Sequence, residues 1–459
     1  MTPGYDAPPL GDTAAYSGRV SRESTALFTD QYELTMLSAA LADGSAHRRC
    51  SFEVFARRLP DGRRYGVVGG TARLVAALSN FRFGEHELEI VSRFLDEATV
   101  AWLRDYRFSG DIDGYREGDF YFPGSPILSV RGTFAECVLL ETLSLSILNH
   151  DSAIASAAAR MVSAADGRPM IEMGSRRTHE ESAVAASRAA YLAGFTATSN
   201  LEAVRRHGVP GAGTSAHAFT LLHTTPDGPD EAAAFRAQVA ALGAGTTLLV
   251  DTYDITAGVK TAVEVAGPGL GGVRIDSGDL GVLARQVRRQ LDDLGATGTK
   301  IVVSGDLDEY AIAALRAEPV DVYGVGTSVV VGSGAPTAGM VYKLVEVDGI
   351  PVEKRSSNKA SRGGTKRALR FARDTGTLVE EVVYSAHSDA PGSAGLETRE
   401  LLVPLVRGGE TVCDTTTLED SRSLLAAGLV SLPWEGLKLS HGEPAIPVRF
   451  AEPEPRRAP

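Results

Sequence analysis

Cysteine is scarce in this chain: Cys50, Cys137 and Cys413 are the only three in 459 residues, and they lie far apart. That spacing suggests neither a disulfide framework nor a cysteine-based zinc site. The opening stretch, MTPGYDAPPLGDTAAYSGRV, lacks the basic-then-apolar pattern of a secretory leader. Long apolar runs are missing too. The longest uncharged stretch, Val322 to Tyr342, is broken by glycines, serines and Pro336 and makes a poor membrane span. Positive charge is in deficit, with 46 Lys+Arg against 58 Asp+Glu and a net charge of −12. A nucleic-acid carrier is disfavoured by that balance, although local arginines can still hold an anionic substrate. The expectation is a soluble cytoplasmic protein with no nucleic-acid or membrane partner.

What is present is ordinary globular composition, 43% hydrophobic and 23% charged. At roughly 150 residues per domain this predicts about two or three domains, large enough to bury a core without staples. Residues 1–20 and 451–459 read as tails rich in small residues and proline. Between them the middle of the chain repeats a rhythm of short β-prone runs followed by alanine-rich amphipathic stretches. Met170–Gly174 precedes Glu181–Leu192, and Gly194–Thr198 precedes Leu201–Arg206. Thr247–Asp251 precedes a helix beginning near Ile255, and Gly272–Asp276 precedes Leu280–Leu294. Lys300–Ser304 precedes Glu309–Ala317, and Asp321–Gly326 closes the series in a glycine-rich turn. Apolar strands alternating with helices argue for a parallel sheet, and so many units in series favour a closed or nearly closed barrel.

The flanks differ. Arg22 to Ser129 mixes helices with strand-like runs at Ser51–Phe55, Tyr121–Phe122 and Ile127–Val130. Thr133 and Glu136 form a capping-box pattern opening a helix expected to reach about Leu148, apolar around most of its circumference and therefore buried. Strand and turn patterns return after Lys343. The predicted organisation is a barrel over 149–345 and an α/β domain assembled from 21–148 and 346–450.

Strand C-termini are where α/β barrels place their chemistry. Here the expected list is Glu172, Gly174 and Arg176; Thr198 and Ser199; His217; Asp251; Arg274 and Asp276; Ser304 and Asp306; and Gly326 and Thr327. Anion binders, carboxylates able to hold Mg²⁺, one histidine and glycine-rich turns suit a phosphorylated substrate with a metal. Each has a bland reading as well: Asp276-Ser277-Gly278-Asp279 as a turn with an N-cap, Arg176-Arg177 as a solvated pair, His217 as an ordinary histidine.

Taken together, LFTDQYELTM (27–36), FEVFARRLP (52–60), EMGSRRTHE (172–180), GFTATSN (194–200), GTSAHAF (213–219), VDTYD (250–254), RIDSGDL (274–280), SGDLDE (304–309) and YGVGTS (323–328) resemble the nicotinate phosphoribosyltransferase family. The resemblance implies an irregular α/β barrel of the type II phosphoribosyltransferase kind, a second α/β domain built from both chain termini, and a homodimer with sites at the subunit interface. It implies an ATP-dependent ligase of NAD biosynthesis that joins nicotinate to phosphoribosyl pyrophosphate with Mg²⁺. By motif position, Arg176 contacts a phosphate and Arg274 faces the nicotinate carboxylate, roles that planar guanidinium groups suit. Asp251 and Asp276 are the implied Mg²⁺ partners. Ser304 belongs to the substrate site, Gly305 and Asp306 hold the ribose hydroxyls, and backbone amides at Gly326 and Thr327 hold the 5′-phosphate. Tyr32 stacks on the pyridine from the other subunit. His217 is the implied phosphohistidine, charged by ATP.

Two positions bear on specificity. Ser199 stands where the related nicotinamide enzyme has an aspartate, and a hydroxyl can donate to the nicotinate carboxylate that an aspartate would repel. Met173, before Gly174, replaces a residue often aromatic in relatives, and a thioether can still pack on a ring. The basic stretch Lys354-Arg355-Ser356-Ser357-Asn358-Lys359 resembles a phosphate-contacting segment. The alternatives are a nicotinamide phosphoribosyltransferase, a catalytically silent phosphate-metabolite sensor on the same barrel, and an aldolase using Lys343 as a Schiff-base lysine.

Overall fold

The computed structural model describes residues 24–354, 362–393, 395–412 and 417–451. The 1–20 tail, all of the 451–459 tail but Ala451, Arg355 to Lys359 and Cys413 lie outside the described residues.

The rhythm in the middle of the chain becomes a six-stranded parallel sheet. Its strands in chain order are β1 (Met170–Glu172), β2 (Ala197–Thr198), β3 (Thr247–Leu249), β4 (Gly272–Ile275), β5 (Lys300–Gly305) and β6 (Val322–Val325), and they lie side by side as β3-β4-β5-β6-β1-β2. All pairings are parallel. Helices Glu180–Leu192, Leu201–His207, Ile255–Ala266, Leu280–Asp293 and Glu309–Ala314 follow their strands close to where the sequence pattern puts them. The result is the irregular α/β barrel of the type II kind, but open rather than closed: among the described residues its edge strands β3 and β2 do not pair, and helices cover one side of a half-barrel sheet. Strand register separates its two faces. Val273, Ile275, Ile301, Val303, Tyr323 and Val325 are fully buried in the core shared with the helices. Arg274, Ser304 and Gly324 alternate with them and share the opposite face.

The second domain is built from both ends of the chain, as expected. Arg49–Ala56 pairs antiparallel with Leu128–Thr133 on one side and with Met340–Val347 on the other, inside a seven-stranded sheet. Lys366–Ala372 and Leu378–Ser385 form the centre of a further four-stranded sheet.

One helix differs from its reading. The Thr133–Glu136 capping box is present, with Thr133 N–H donating to Glu136 and Glu136 N–H to Thr133 Oγ1. It opens only Phe134–Val138; the chain breaks at Leu139–Leu140 and resumes as Glu141–Ala165. Large aliphatic residues thin out after Leu148, which made that point look like an end. The helix continues because Ala155, Ala158 and Ala159 are buried in the same core as Ala186, Ala189 and Ala190 of Glu180–Leu192. Two alanine faces can approach closely enough to bury backbone without long side chains. Leu143, Ile147 and Leu148 of this helix enter the core of the second domain, while Ile154 to Ala165 enter the barrel core, so one helix joins both. Its Ser152 and Ser156 also accept the N–H groups of Gly69 and Val67, tying the strand Gly66–Val67 and the turn after it to the helix.

Candidate active site

Where β4 and β5 end, their polar face gathers a hydrogen-bonded cluster. Arg274 Nε donates to Ser304 Oγ at 2.7 Å and Nη2 to Asp276 Oδ1 at 2.8 Å. Ser304 Oγ donates to the same Asp276 oxygen. Among the described residues Arg274 Nη1 has only two weak contacts, Thr214 Oγ1 and Ser215 O, both at 3.4 Å. Burial pushes the Asp276 carboxyl up, but Ser304, Arg274 and His217 more than offset that, so it lies below its ordinary value.

The adjoining strand end supplies a second carboxylate. Asp251 Oδ2 accepts from Asp276 N–H at 2.9 Å and from Ser277 Oγ at 2.8 Å. Its Oδ1 is buried and has no hydrogen-bond partner among the described residues. His217 stands at the start of the short helix His217–Leu222, with Nδ1 3.1 Å from Thr252 Oγ1 and Nε2 4.0 Å from Asp276 Oδ2. Its side chain is 40% exposed, so the imidazole is accessible beside the carboxylates.

A second loop group meets this face from β1, β2 and β6. Gly324 on β6 has no Cβ, and Met173 Sδ lies where one would press, 2.8 Å from that position. Gly174 is similarly confined: a Cβ there would run into Val330 and come within 2.9 Å of Gly326 O. Met173, Gly174, Ser304 and Gly326 are therefore packed together around Gly324. Gly305 comes close to the Asp276 carbonyl in the same way, at 3.2 Å from its Cβ position. Arg176, Ser199, Asp306 and Thr327 are exposed at the rim. The helix after Gly326 is a single turn, Thr327–Val330.

These motifs also have relatives. The pattern of the nicotinate phosphoribosyltransferase (NAPRTase) N-terminal domain matches residues 27–149. A nicotinate phosphoribosyltransferase of Mycobacterium tuberculosis is 68% identical over 432 residues, covering 94% of this chain and 96% of its own. The chain belongs to the nicotinate phosphoribosyltransferase family. A Bacillus subtilis member is 37% identical over 366 residues, 76% of this chain and 74% of that one. The crystal structure of human nicotinic acid phosphoribosyltransferase superposes with a TM-score of 0.78 at 27% identity, covering 92% of this chain and 97% of that one.

Within one chain of this nicotinate phosphoribosyltransferase family member, Tyr32 belongs to a separate group. It lies on helix Gln31–Asp43, 46% exposed, with its hydroxyl against Glu141. Partial burial and the carboxylates of Glu141, Glu33 and Asp30 push its phenol up to about 12. Lys343 Nζ is 4.0 Å from Glu141. Lys343 sits in the antiparallel sheet opposite Glu53 rather than at a parallel-strand end, which removes the geometric basis for a barrel aldolase lysine.

Sequence reasoning missed Thr214, Ser215, Thr252 and Glu231. The first three hold Arg274 and His217, and their only signal was membership of the GTSAHAF and VDTYD segments. Glu231 opens helix Glu231–Leu242, where an acid reads simply as a favourable first-turn residue. Its Oε1 is buried without a partner among the described residues, and burial together with Asp254 and Asp251 pushes the carboxyl up to about 7.

Among the described residues no helix is long and apolar enough to cross a membrane, and no three or more His, Cys, Asp or Glu side chains form a metal cage.

Proposed function

We propose that this protein forms nicotinate mononucleotide and pyrophosphate from nicotinate and phosphoribosyl pyrophosphate. The observation that carries the reading is the convergence of Arg274, Asp276, Ser304, Asp251 and His217 at one end of the parallel sheet in a member of this family. The pyridine nitrogen attacks C1 of the ribose, the C1–O bond to pyrophosphate breaks, and both electrons leave with the pyrophosphate. No strong base is needed, because the ring nitrogen already carries a free lone pair. The protein's work is to hold two anions in line and to stabilise charge on the leaving group.

The residues fit Mg²⁺. Asp251 offers a bare buried oxygen, and Asp276 keeps Oδ2 free of the bonds that occupy Oδ1. Mg²⁺ takes one or two protein carboxylates and fills its octahedron with water and phosphate oxygens, so an all-protein cage is not required. When bound, it would neutralise pyrophosphate charge. Arg274 Nη1, the least engaged of its nitrogens, is placed for the nicotinate carboxylate. Arg176, exposed and without an ion-pair partner among the described residues, suits a phosphate. Ser199 favours the acid over the amide; Gly305 and Asp306 take the ribose hydroxyls, and the Gly326–Thr327 turn takes the 5′-phosphate.

His217 is read as the phosphohistidine. Thr252 engages Nδ1, which leaves Nε2 as the nucleophile toward the γ-phosphorus of ATP, with ADP leaving and water later releasing phosphate. Tyr32 is read as reaching the site of a second copy. Support comes from two exposed apolar groups, Phe28, Tyr32 and Met36 in the first and Leu221 and Leu222 on the His217 helix in the second.

The test is incubation with Mg²⁺, phosphoribosyl pyrophosphate and either nicotinate or nicotinamide, with and without ATP. Mononucleotide from nicotinate, stimulated by ATP, supports the reading; product from nicotinamide alone overturns the specificity. Label from γ-³²P-ATP should appear on the protein and be absent from His217→Ala.

A further inference from the structure

Glu172 ends β1 and points away from the site, yet it touches both loops that carry site residues. It faces the helix layer together with Val325 and Thr198, its neighbours in register. The residue is 1% exposed. Its side-chain partners among the described residues are neutral donors. Gly174 N–H donates to Oε1; Ser187 Oγ, at 2.7 Å, and Thr198 Oγ1, at 2.5 Å, donate to Oε2. Its own carbonyl accepts Ser199 N–H at 2.8 Å. The chain of contacts continues from Thr198 Oγ1, which accepts Asn200 N–H at 3.0 Å, to Asn200 Nδ2, which donates to Ser175 Oγ at 3.0 Å. One side chain thus ties the loop Met173–Arg176 to the turn Thr198–Asn200.

A buried carboxylate is costly to desolvate, and neutral donors offset that less fully than an arginine does. A carboxylate, however, accepts on both oxygens. It can hold an N–H that only donates and two hydroxyls at once, leaving the Thr198 lone pairs for Asn200.

We infer that Glu172 is a positioning residue for phosphoribosyl transfer: acting from behind the sheet, it fixes Gly174 and Ser199 relative to each other and so sets the nicotinate pocket and the placement of Arg176. The inference rests on the activity proposed above.

The test compares Glu172→Ala, Glu172→Asp and Glu172→Gln with the wild type by steady-state kinetics, at a temperature where unfolding curves show each variant folded. Alanine removes every side-chain tie, leaving only the main-chain carbonyl bond to Ser199, and aspartate falls one methylene short. Both should lower kcat/KM for nicotinate by about a hundredfold, the cost of an ångström-scale misplacement. KM for both substrates should rise, and preference for nicotinate over nicotinamide should narrow. Glutamine can still accept from Gly174 and donate to the two hydroxyls, so it should recover kcat/KM to within about tenfold of wild type. Should the alanine protein not fold, Thr198→Val, which removes the hydroxyl that joins Glu172 to Asn200, should raise KM for nicotinate by about tenfold. Unchanged kcat/KM per folded molecule in Glu172→Ala, or unchanged KM in Thr198→Val, overturns the inference. A wild-type protein that makes no mononucleotide overturns the activity instead.

Discussion

Two polar clusters in this molecule look alike in composition and differ in closure. Beneath helix Glu141–Ala165, Glu309 Oε1 accepts from Arg63 at 2.6 Å and from Arg160 at 3.1 Å, while Ser333 caps Oε2 and Arg63 Nη2 reaches Gly332 O at 2.9 Å. These three charged side chains are between 2% and 5% exposed. At the sheet mouth, by contrast, among the described residues Asp251 Oδ1 has no partner and Arg274 Nη1 has only contacts at 3.4 Å, and His217 is part-exposed to solvent. A closed network has no bonding capacity left for a ligand and can only hold the fold. The open one retains unspent donors and acceptors where the parallel strands end, which is what a charged substrate requires.

The largest effect expected from that contrast is in rate. Arg274→Ala should lower kcat/KM for nicotinate by about a thousandfold, while denaturant unfolding shifts by no more than about 2 kcal/mol. A large stability loss with intact turnover would erase the distinction. Glu309→Ala should do the reverse, costing about 3–5 kcal/mol because two arginines are left buried and unpaired, with turnover per folded molecule unchanged. Gly174→Ala lies between the clusters. Forcing a Cβ against Val330 and Gly326 should cost about 1–3 kcal/mol and also lower kcat/KM, sharpening the boundary between support and site.

The smallest effect concerns pH. Burial pushes the Glu309 carboxyl up, but Ser333 and Arg63 more than offset it, holding it below its ordinary value of 4.5. Its contribution is therefore complete above pH 4.5 and is lost as pH falls through the lower folded-state value. Urea titrations from pH 6 downward should show a steeper loss for wild type than for Glu309→Gln.

Much of this is legible in the amino-acid sequence. Each of the six β-prone runs in the middle of the chain became a strand of the parallel sheet, and the capping box at Thr133 opened a helix as its chemistry required. The list of strand-end residues contained Arg274, Asp276, Ser304, Asp251 and Glu172. It could not rank them, because Glu172 and Arg274 occupy similar places in their runs and differ only in which face they present. The extension of Glu141–Ala165 was hidden because alanine carries little hydrophobic signal until a second alanine face is known to lie against it. Glu231 was hidden because an acid in a first helical turn has a sufficient local explanation.

Periodicity, capping chemistry and motif order are local properties, carried by residues within a few positions of one another; they determined the alternating architecture, the family and the roll of candidate residues. Which carboxylate closes on an arginine, which keeps a bare oxygen and which braces a loop from behind depend on contacts between residues distant in sequence, 246 positions apart in the case of Arg63 and Glu309. Burial and hydrogen-bond satisfaction are set by whatever the packed chain brings alongside, so tertiary structure alone divided these polar groups into support and site.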